Sequence, residues 1–295
     1  MTDLSNLLVH PKTKKQADYF LQKPYNPLLI LGERGSGKRG LAYSLACSVL
    51  GLKSMQQLLA HPYFFYAKRN EGKQDISIDT VREITRFLRL KTPGGSTIRR
   101  VVLIENSQNL SVEAQNALLK ILEEPNEDTM FLLTAPYELS LLPTIVSRCQ
   151  HIWAHPVTLQ QADKFYGGRI SRQKMESAWR LSQGGSALLD ALLTEEGSHP
   201  LKQAIEKAKS FLKQTKYERL LFLDQISRDK EDLRLFLEAL TKILVALHRS
   251  ALGKRPKQAQ NLAGDRKLTI SSLEALDKNA NPRLICLSLV LNLKS

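Results

Sequence analysis

Gly32, Gly35, Gly37 and Lys38 fall in the stretch GERGSGKRG (residues 32–40), directly after the apolar run PLLIL (27–31). Glycines at this spacing let backbone N–H groups close around phosphate oxygens, and the lysine that follows can reach the terminal phosphates of a nucleotide. Two phosphate-binding patterns fit the same residues. From Gly32 they spell G-x-x-x-x-G-K, whose next position should carry the Ser or Thr hydroxyl that holds magnesium; Arg39 stands there instead. From Gly35 they spell G-x-G-x-x-G, with Gly35, Gly37 and Gly40 where a dinucleotide-binding turn needs them.

The residues downstream separate the two. A dinucleotide site requires an acidic residue about 20 positions beyond the turn, to hold the ribose hydroxyls. Residues 41–70 contain no Asp or Glu, so that pattern fails. The nucleoside-triphosphate loop requires a second apolar strand ending in an acid that manages magnesium. RRVVLIEN (99–106), ending in Glu105 and Asn106, is such a strand.

These residues need a scaffold, and its pattern is legible. As far as about Pro156, apolar runs alternate with amphipathic stretches: strand 28–31, helix 41–50, strand 101–104, helix 111–123, strand 130–134. Short buried strands separated by helices imply crossovers and a parallel sheet. From Leu159 helical spacing takes over; Leu233, Phe236, Leu237, Leu240, Ile243, Leu244 and Leu247 recur at three- and four-residue steps, on one face. Gly184-Gly185-Ser186 and the turn-rich EGSHP (196–200) punctuate the helical part. The expectation is an α/β sheet domain over 1–156, a small helical domain over 157–200 and a helical domain over 201–295.

Composition narrows the class. With 295 residues and 42% hydrophobic content the chain can build two or three cores. Cys47, Cys149 and Cys286 lie far apart and form no C-x-x-C pair, which argues against a disulfide scaffold or a zinc site and for a reducing compartment. No signal-like or membrane-length apolar run is present, so a cytoplasmic protein is expected. The net charge of +14, from 43 Lys+Arg against 29 Asp+Glu, favours polyanionic surroundings and leaves direct DNA contact open. No basic run is interleaved with aromatics as a strand-stacking surface would be. The histidines, among them His61, His151 and His155, lack metal-ligand spacing.

Several stretches then agree in order and spacing with one family. VVLIENSQNLSVEAQNALLKILEEP (101–125) resembles the Walker B strand and following helix of bacterial DNA polymerase III clamp-loader subunits of the AAA+ class. TMFLLTAPYELSLLPTIVSRCQ (129–150) resembles their sensor 1 strand, with Thr134 on it, followed by the Ser147-Arg148-Cys149 motif. HPYFFY (61–66) and ISIDTVREITRFL (76–88) are similar to the segment that joins the P-loop helix to the Walker B strand. NANPRLICLSLVLNL (279–293) resembles the last collar helix. The resemblance implies an AAA+ P-loop parallel-sheet domain, a small helical lid and an all-helical collar.

The family contains active ATPases and a relative whose ATP machinery is eroded. Measured against the active pattern, this chain lacks three parts. Arg39 replaces the magnesium-ligating hydroxyl, Glu105-Asn106 replaces an acidic pair, and Gly185-Ser186-Ala187-Leu188-Leu189 carries no sensor 2 arginine. Since metal and positioning groups supply nearly all the catalysis of phosphoryl transfer, the resemblance implies a subunit that does not hydrolyse ATP on its own. Gly32, Gly37 and Lys38 keep backbone donors and a helix N-terminus, so ATP or ATP with magnesium bound weakly and without turnover stays open. A competent gamma-like motor and a plain basic DNA-binding module are the alternatives.

By the same resemblance Arg148 is an arginine finger that acts in trans on the nucleotide of a neighbour. The implied partners are the other clamp-loader subunits, gamma or tau and delta, in a pentameric ring, with the sliding clamp and primer-template DNA engaged through the complex and no membrane. Many members insert a four-cysteine zinc module before the HPYFFY-like segment. Here Cys47 is followed by SVLGLKSMQQLLA and then His61, so no zinc is expected.

Overall fold

Four successive apolar residues form β1 (Leu28–Leu31), and all four are buried. A strand apolar at every position must be covered on both faces, since each Leu side chain removed from water contributes about 1.5–3 kcal/mol. The computed structural model, which describes residues 6–69, 75–94, 97–194 and 199–294, shows how this is met.

The first of two compact units comprises 1–167 and 185–187. Its elements are α1 (Pro11–Gln22), β1, α2 (Lys38–Val49), α3 (Met55–Leu59), β2 (Phe64–Ala67), α4 (Ile78–Leu88), β3 (Arg100–Ile104), α5 (Val112–Glu123), β4 (Thr129–Ala135), α6 (Pro143–Val146), β5 (Gln150–Trp153) and α7 (Leu159–Tyr166). The strands form one sheet in the order β2-β3-β4-β1-β5. Every pairing is parallel. The three strands read from sequence are β1, β3 and β4. The flanking strands β2 and β5 went unread because they are only partly buried, although β1 is just as short.

Alternate residues of each strand serve opposite faces. Leu28, Ile30, Val101, Leu103, Met130 and Leu132 pack with Ala17 and Phe20 of α1 and Leu41 and Leu45 of α2. Leu29, Leu31, Val102, Ile104, Phe131 and Leu133 pack with Ile84 of α4 and Leu118 of α5 on the other side. At the amino end of β3 the nearly buried Arg100 donates to Phe87 O (3.1 Å) and Leu88 O (2.7 Å), which closes the end of α4, and to Asp128 Oδ2 at 2.8 Å.

The second unit comprises 168–184 and 188–295. It holds α8 (Arg172–Ser182), most of α9 (Ser186–Leu193), α10 (Pro200–Lys213), α11 (Lys216–Ile226), α12 (Lys230–Ala251), α13 (Pro256–Asp277) and α14 (Pro282–Asn292). Leu233, Phe236, Leu237, Leu240, Ile243 and Leu244 of α12 are buried in its core. Leu247, expected on the same face, is 41% exposed. It lines a groove with residues of α8 and α10, which the helical period alone does not reveal. By packing, α7 belongs with the sheet unit and α8 with the helical one. Residues 196–198 of the turn-rich stretch lie outside the described residues.

Candidate nucleotide site and an exposed arginine

Residues 32–37 connect β1 to α2, and their conformation explains the glycines. Gly35 and Gly37 both have φ of 90°, a left-handed value that a side chain makes costly. Gly37 meets a second demand, because a Cβ there would stand 2.3 Å from Ser186 Oγ. Ser186 Oγ donates to Ser36 O at 3.0 Å and Ala187 N–H donates to Gly35 O at 3.0 Å, so residues 186 and 187 brace the loop. Gly32 is tight as well: its Cβ would meet Ser36 Oγ at 2.5 Å. No side chain caps the start of α2, which leaves its first N–H groups directed at the loop. Lys38 is buried, with Nζ 3.3 Å from Glu33 O. A helix N-terminus and a lysine at the end of a strand can hold an anion.

The residue after Lys38 changes the chemistry. Arg39 turns toward the end of β3, with Nε 3.7 Å from Glu105 Oε1. Its Nη2 donates to the Tyr43 hydroxyl at 3.3 Å. The guanidinium lies 5.4 Å from the Tyr43 ring centre and 6.0 Å from that of Tyr66. The Tyr66 hydroxyl in turn donates to Glu105 Oε2. Burial and the hydrogen bond to Glu105 hold the Tyr66 proton far above its ordinary range. Burial favours loss of the Arg39 proton, but Glu105, Tyr43 and Tyr66 together outweigh it and the guanidinium is held still more firmly charged. Both oxygens of Glu105 are therefore engaged by protein groups, one by a cation and one by a phenol.

Thr134, fully buried on β4, is engaged too: its Oγ1 accepts the N–H of Asn106 at 2.8 Å. Asn106 needs that anchor because its φ of 53° lies in the left-handed region. The parallel register sets the ends of β1, β3 and β4 side by side, and so gathers Gly32, Gly35, Gly37, Lys38, Arg39, Glu105 and Thr134 at the carboxyl edge of the sheet. Tyr43 and Tyr66 were missed at the sequence level. Tyr43 could have been found four residues beyond Arg39 on one helical face; Tyr66 could not, since only the β2–β3 pairing brings it to Glu105.

Arg148 is not part of this group. It precedes β5, whose Gln150 pairs with Leu28 at the amino end of β1, so it stands at the opposite end of the sheet from the glycine loop. Its Nη1 donates to Thr144 O at 2.9 Å and its Nη2 contacts Glu123 Oε1 at 2.6 Å. The two side chains are 35% and 47% exposed. Beside it opens a cleft of about 530 Å³ lined by Tyr19, Lys23, Tyr25, Ser147, Arg148 and Gln150, among others. Cys149 is no nucleophile at neutral pH, because burial pushes its thiol up to about 12.

His61 accepts the Tyr63 N–H, His151 lies between Val146 O and Glu138, and His155 packs on His10. Among the described residues no group of three or more His, Cys, Asp or Glu is placed to hold a metal. Among them, too, no helix is long and apolar enough to cross a membrane.

A five-stranded parallel sheet in the order 2-3-4-1-5 with a glycine-rich loop after β1, in a chain that also carries a helical unit, is an α/β fold of the AAA+ type. The crystal structure of a DNA polymerase III gamma subunit-related protein from Thermotoga maritima has the same fold, with a TM-score of 0.58 at 21% identity over 95% of this chain and 97% of that one. Residues 15–158 match the family described as DNA polymerase III, delta subunit. The chain is 34% identical to the DNA polymerase III subunit delta prime of Pseudomonas aeruginosa over 63% of its own length and 61% of that protein's. With the Escherichia coli subunit delta prime it shares 32% identity over 59% of its length and 57% of the other's. A replication factor C small subunit from Aeropyrum pernix is 28% identical over 45% of this chain and 38% of that protein. The matched part, residues 15–158, is thus similar to DNA polymerase III clamp-loader subunits, the delta prime subunits among them. It matches about three fifths of the length of the delta prime subunits.

Proposed function

We propose that this chain serves a DNA polymerase III clamp loader as a subunit that does not turn over ATP and that lends Arg148 to the nucleotide of a neighbouring subunit. The observation that carries the reading is the closure of Arg39 on Glu105. A magnesium site at this loop needs a hydroxyl after Lys38 and a free carboxylate across from it. Here a guanidinium takes the first place and occupies the second, so the donor set does not fit the metal. The backbone donors of the loop and Lys38 still suit a nucleotide held without hydrolysis; zinc has no part in the reading.

Two further features support the reading. Residues 188 and 189, where a sensor 2 arginine would be sought, are buried leucines. Arg148, at the far end of the sheet from its own loop, is half-exposed and suited to a γ-phosphate outside the chain. In this reading residues 1–156 form the AAA+ domain, 157–200 a lid, and 201–295 the collar that joins gamma or tau and delta in a five-membered ring. The ring would open the sliding clamp and place it on primer-template DNA, in the cytoplasm.

Reconstitution tests it. The purified chain should neither hydrolyse ATP nor bind a fluorescent analogue in a magnesium-dependent way, yet should accelerate turnover by its partners. Arg148→Ala should abolish that acceleration with the ring intact; arginine fingers in other phosphoryl-transfer systems are worth about 10³–10⁵ in rate. Unchanged turnover in an intact ring would remove the finger role.

A further inference from the structure

The cleft beside Arg148 contains more than one group suited to phosphate. Lys23, the exposed residue that closes α1, lines it together with Arg148, and among the described residues no Asp or Glu does. The Lys23 backbone N–H is used by Tyr19 O, leaving the ammonium group at the open end of the helix. Exposed Tyr19 and Tyr25, 55% and 59% accessible, lie on the same wall. Gln150 contributes an amide whose buried oxygen has no hydrogen-bond partner. The thiol of Cys149, protonated at neutral pH, adds no negative charge. A concave site of about 530 Å³ whose described lining holds two cations and two phenols, with the one neighbouring carboxylate, Glu123, paired to Arg148, matches the terminal phosphates of a nucleotide, whose charge exceeds what one guanidinium can neutralise.

We infer that Lys23 is a second phosphate-binding cation acting beside Arg148 on the polyphosphate of a nucleotide carried by another chain. The inference rests on the reading of Arg148 as a group that acts in trans. It adds a residue 125 positions away, which α1 places at the same end of the sheet. Glu123 then has a role as well. It holds the Arg148 guanidinium at 2.6 Å in the isolated chain, so Lys23 is the cation of the pair free to meet an incoming phosphate first.

The experiment uses the reconstituted loader with clamp and primed DNA, and measures kcat and KM for ATP with Lys23→Gln, Lys23→Arg and Arg148→Ala. Lys23→Gln should lower kcat/KM about tenfold, the scale of one charge-assisted contact, and Lys23→Arg should restore most of the loss. Wild-type kinetics for Lys23→Gln in a ring that Arg148→Ala impairs would overturn the inference and leave the finger reading standing. Wild-type kinetics for both variants would overturn the finger reading itself. Weaker DNA binding at unchanged ATP kinetics would assign Lys23 to a nucleic-acid backbone and so exclude the inference. A ring that dissociates on sizing with Lys23→Gln would also overturn it, since a phosphate contact is not an assembly contact.

Discussion

The Arg39 guanidinium stands 3.7 Å from the Glu105 carboxylate, bridging the first turn of α2 and the end of β3. The pair is 58% and 15% exposed on its two sides, so its worth to folding is small, below about 1 kcal/mol. Its consequence is for ligands.

Replacing Arg39 by Ser should therefore leave the melting temperature nearly unchanged while altering metal dependence. The variant regains the hydroxyl and frees one oxygen of Glu105, so magnesium should tighten the binding of a fluorescent ATP analogue at least about tenfold, equivalent to 1.4 kcal/mol. Titration with and without the metal checks this. No gain in the variant would mean that something other than Arg39 excludes magnesium.

Arg100 and Asp128 behave in the opposite way, because both are nearly buried. Removing Arg100 leaves the nearly buried Asp128 with only the longer 3.7 Å contact to Arg99 to offset its charge, so Arg100→Ala should cost about 3 kcal/mol in denaturant unfolding. Burial pushes the Asp128 carboxyl up, but hydrogen bonds from Arg100, Thr92 and Thr129 prevail and hold it below the ordinary 3.8. A depressed carboxylate stabilises the fold above its unfolded pKa, and this is lost as pH falls from about 4 through the lower folded value. Asp128→Asn should remove that part of the acid sensitivity, and unfolding midpoints measured from pH 5 to pH 2 would show it.

Thr134 offers a test inside the candidate site that separates structure from chemistry. Thr134→Val keeps the shape but takes the acceptor from the partly buried N–H of Asn106, at a cost of about 1 kcal/mol. Thr134→Ser retains the oxygen and should lose far less. Equal destabilisation of the two variants in urea melts would mean that the methyl group, not the hydroxyl, matters at this position.

Local signals carried much of this protein. A run of four leucine and isoleucine residues before a glycine-rich loop, two more apolar runs and a helical period after Leu159 determined a parallel P-loop sheet followed by helices. This worked because strand burial and glycine conformation are consequences of residues a few positions apart. The loop glycines, Lys38 and the ends of β3 and β4 were legible for the same reason. What the site does with its charges was decided only by the tertiary structure. Arg39 meets Glu105 across 66 positions, Tyr66 meets Glu105 through a strand too partly buried to read, and Arg148 meets Glu123 through the packing of α5 against α6. Pairings of this kind depend on sheet order and register, which no short window of sequence contains, and Coulomb and hydrogen-bond energies act over a few ångströms of space whatever the distance along the chain.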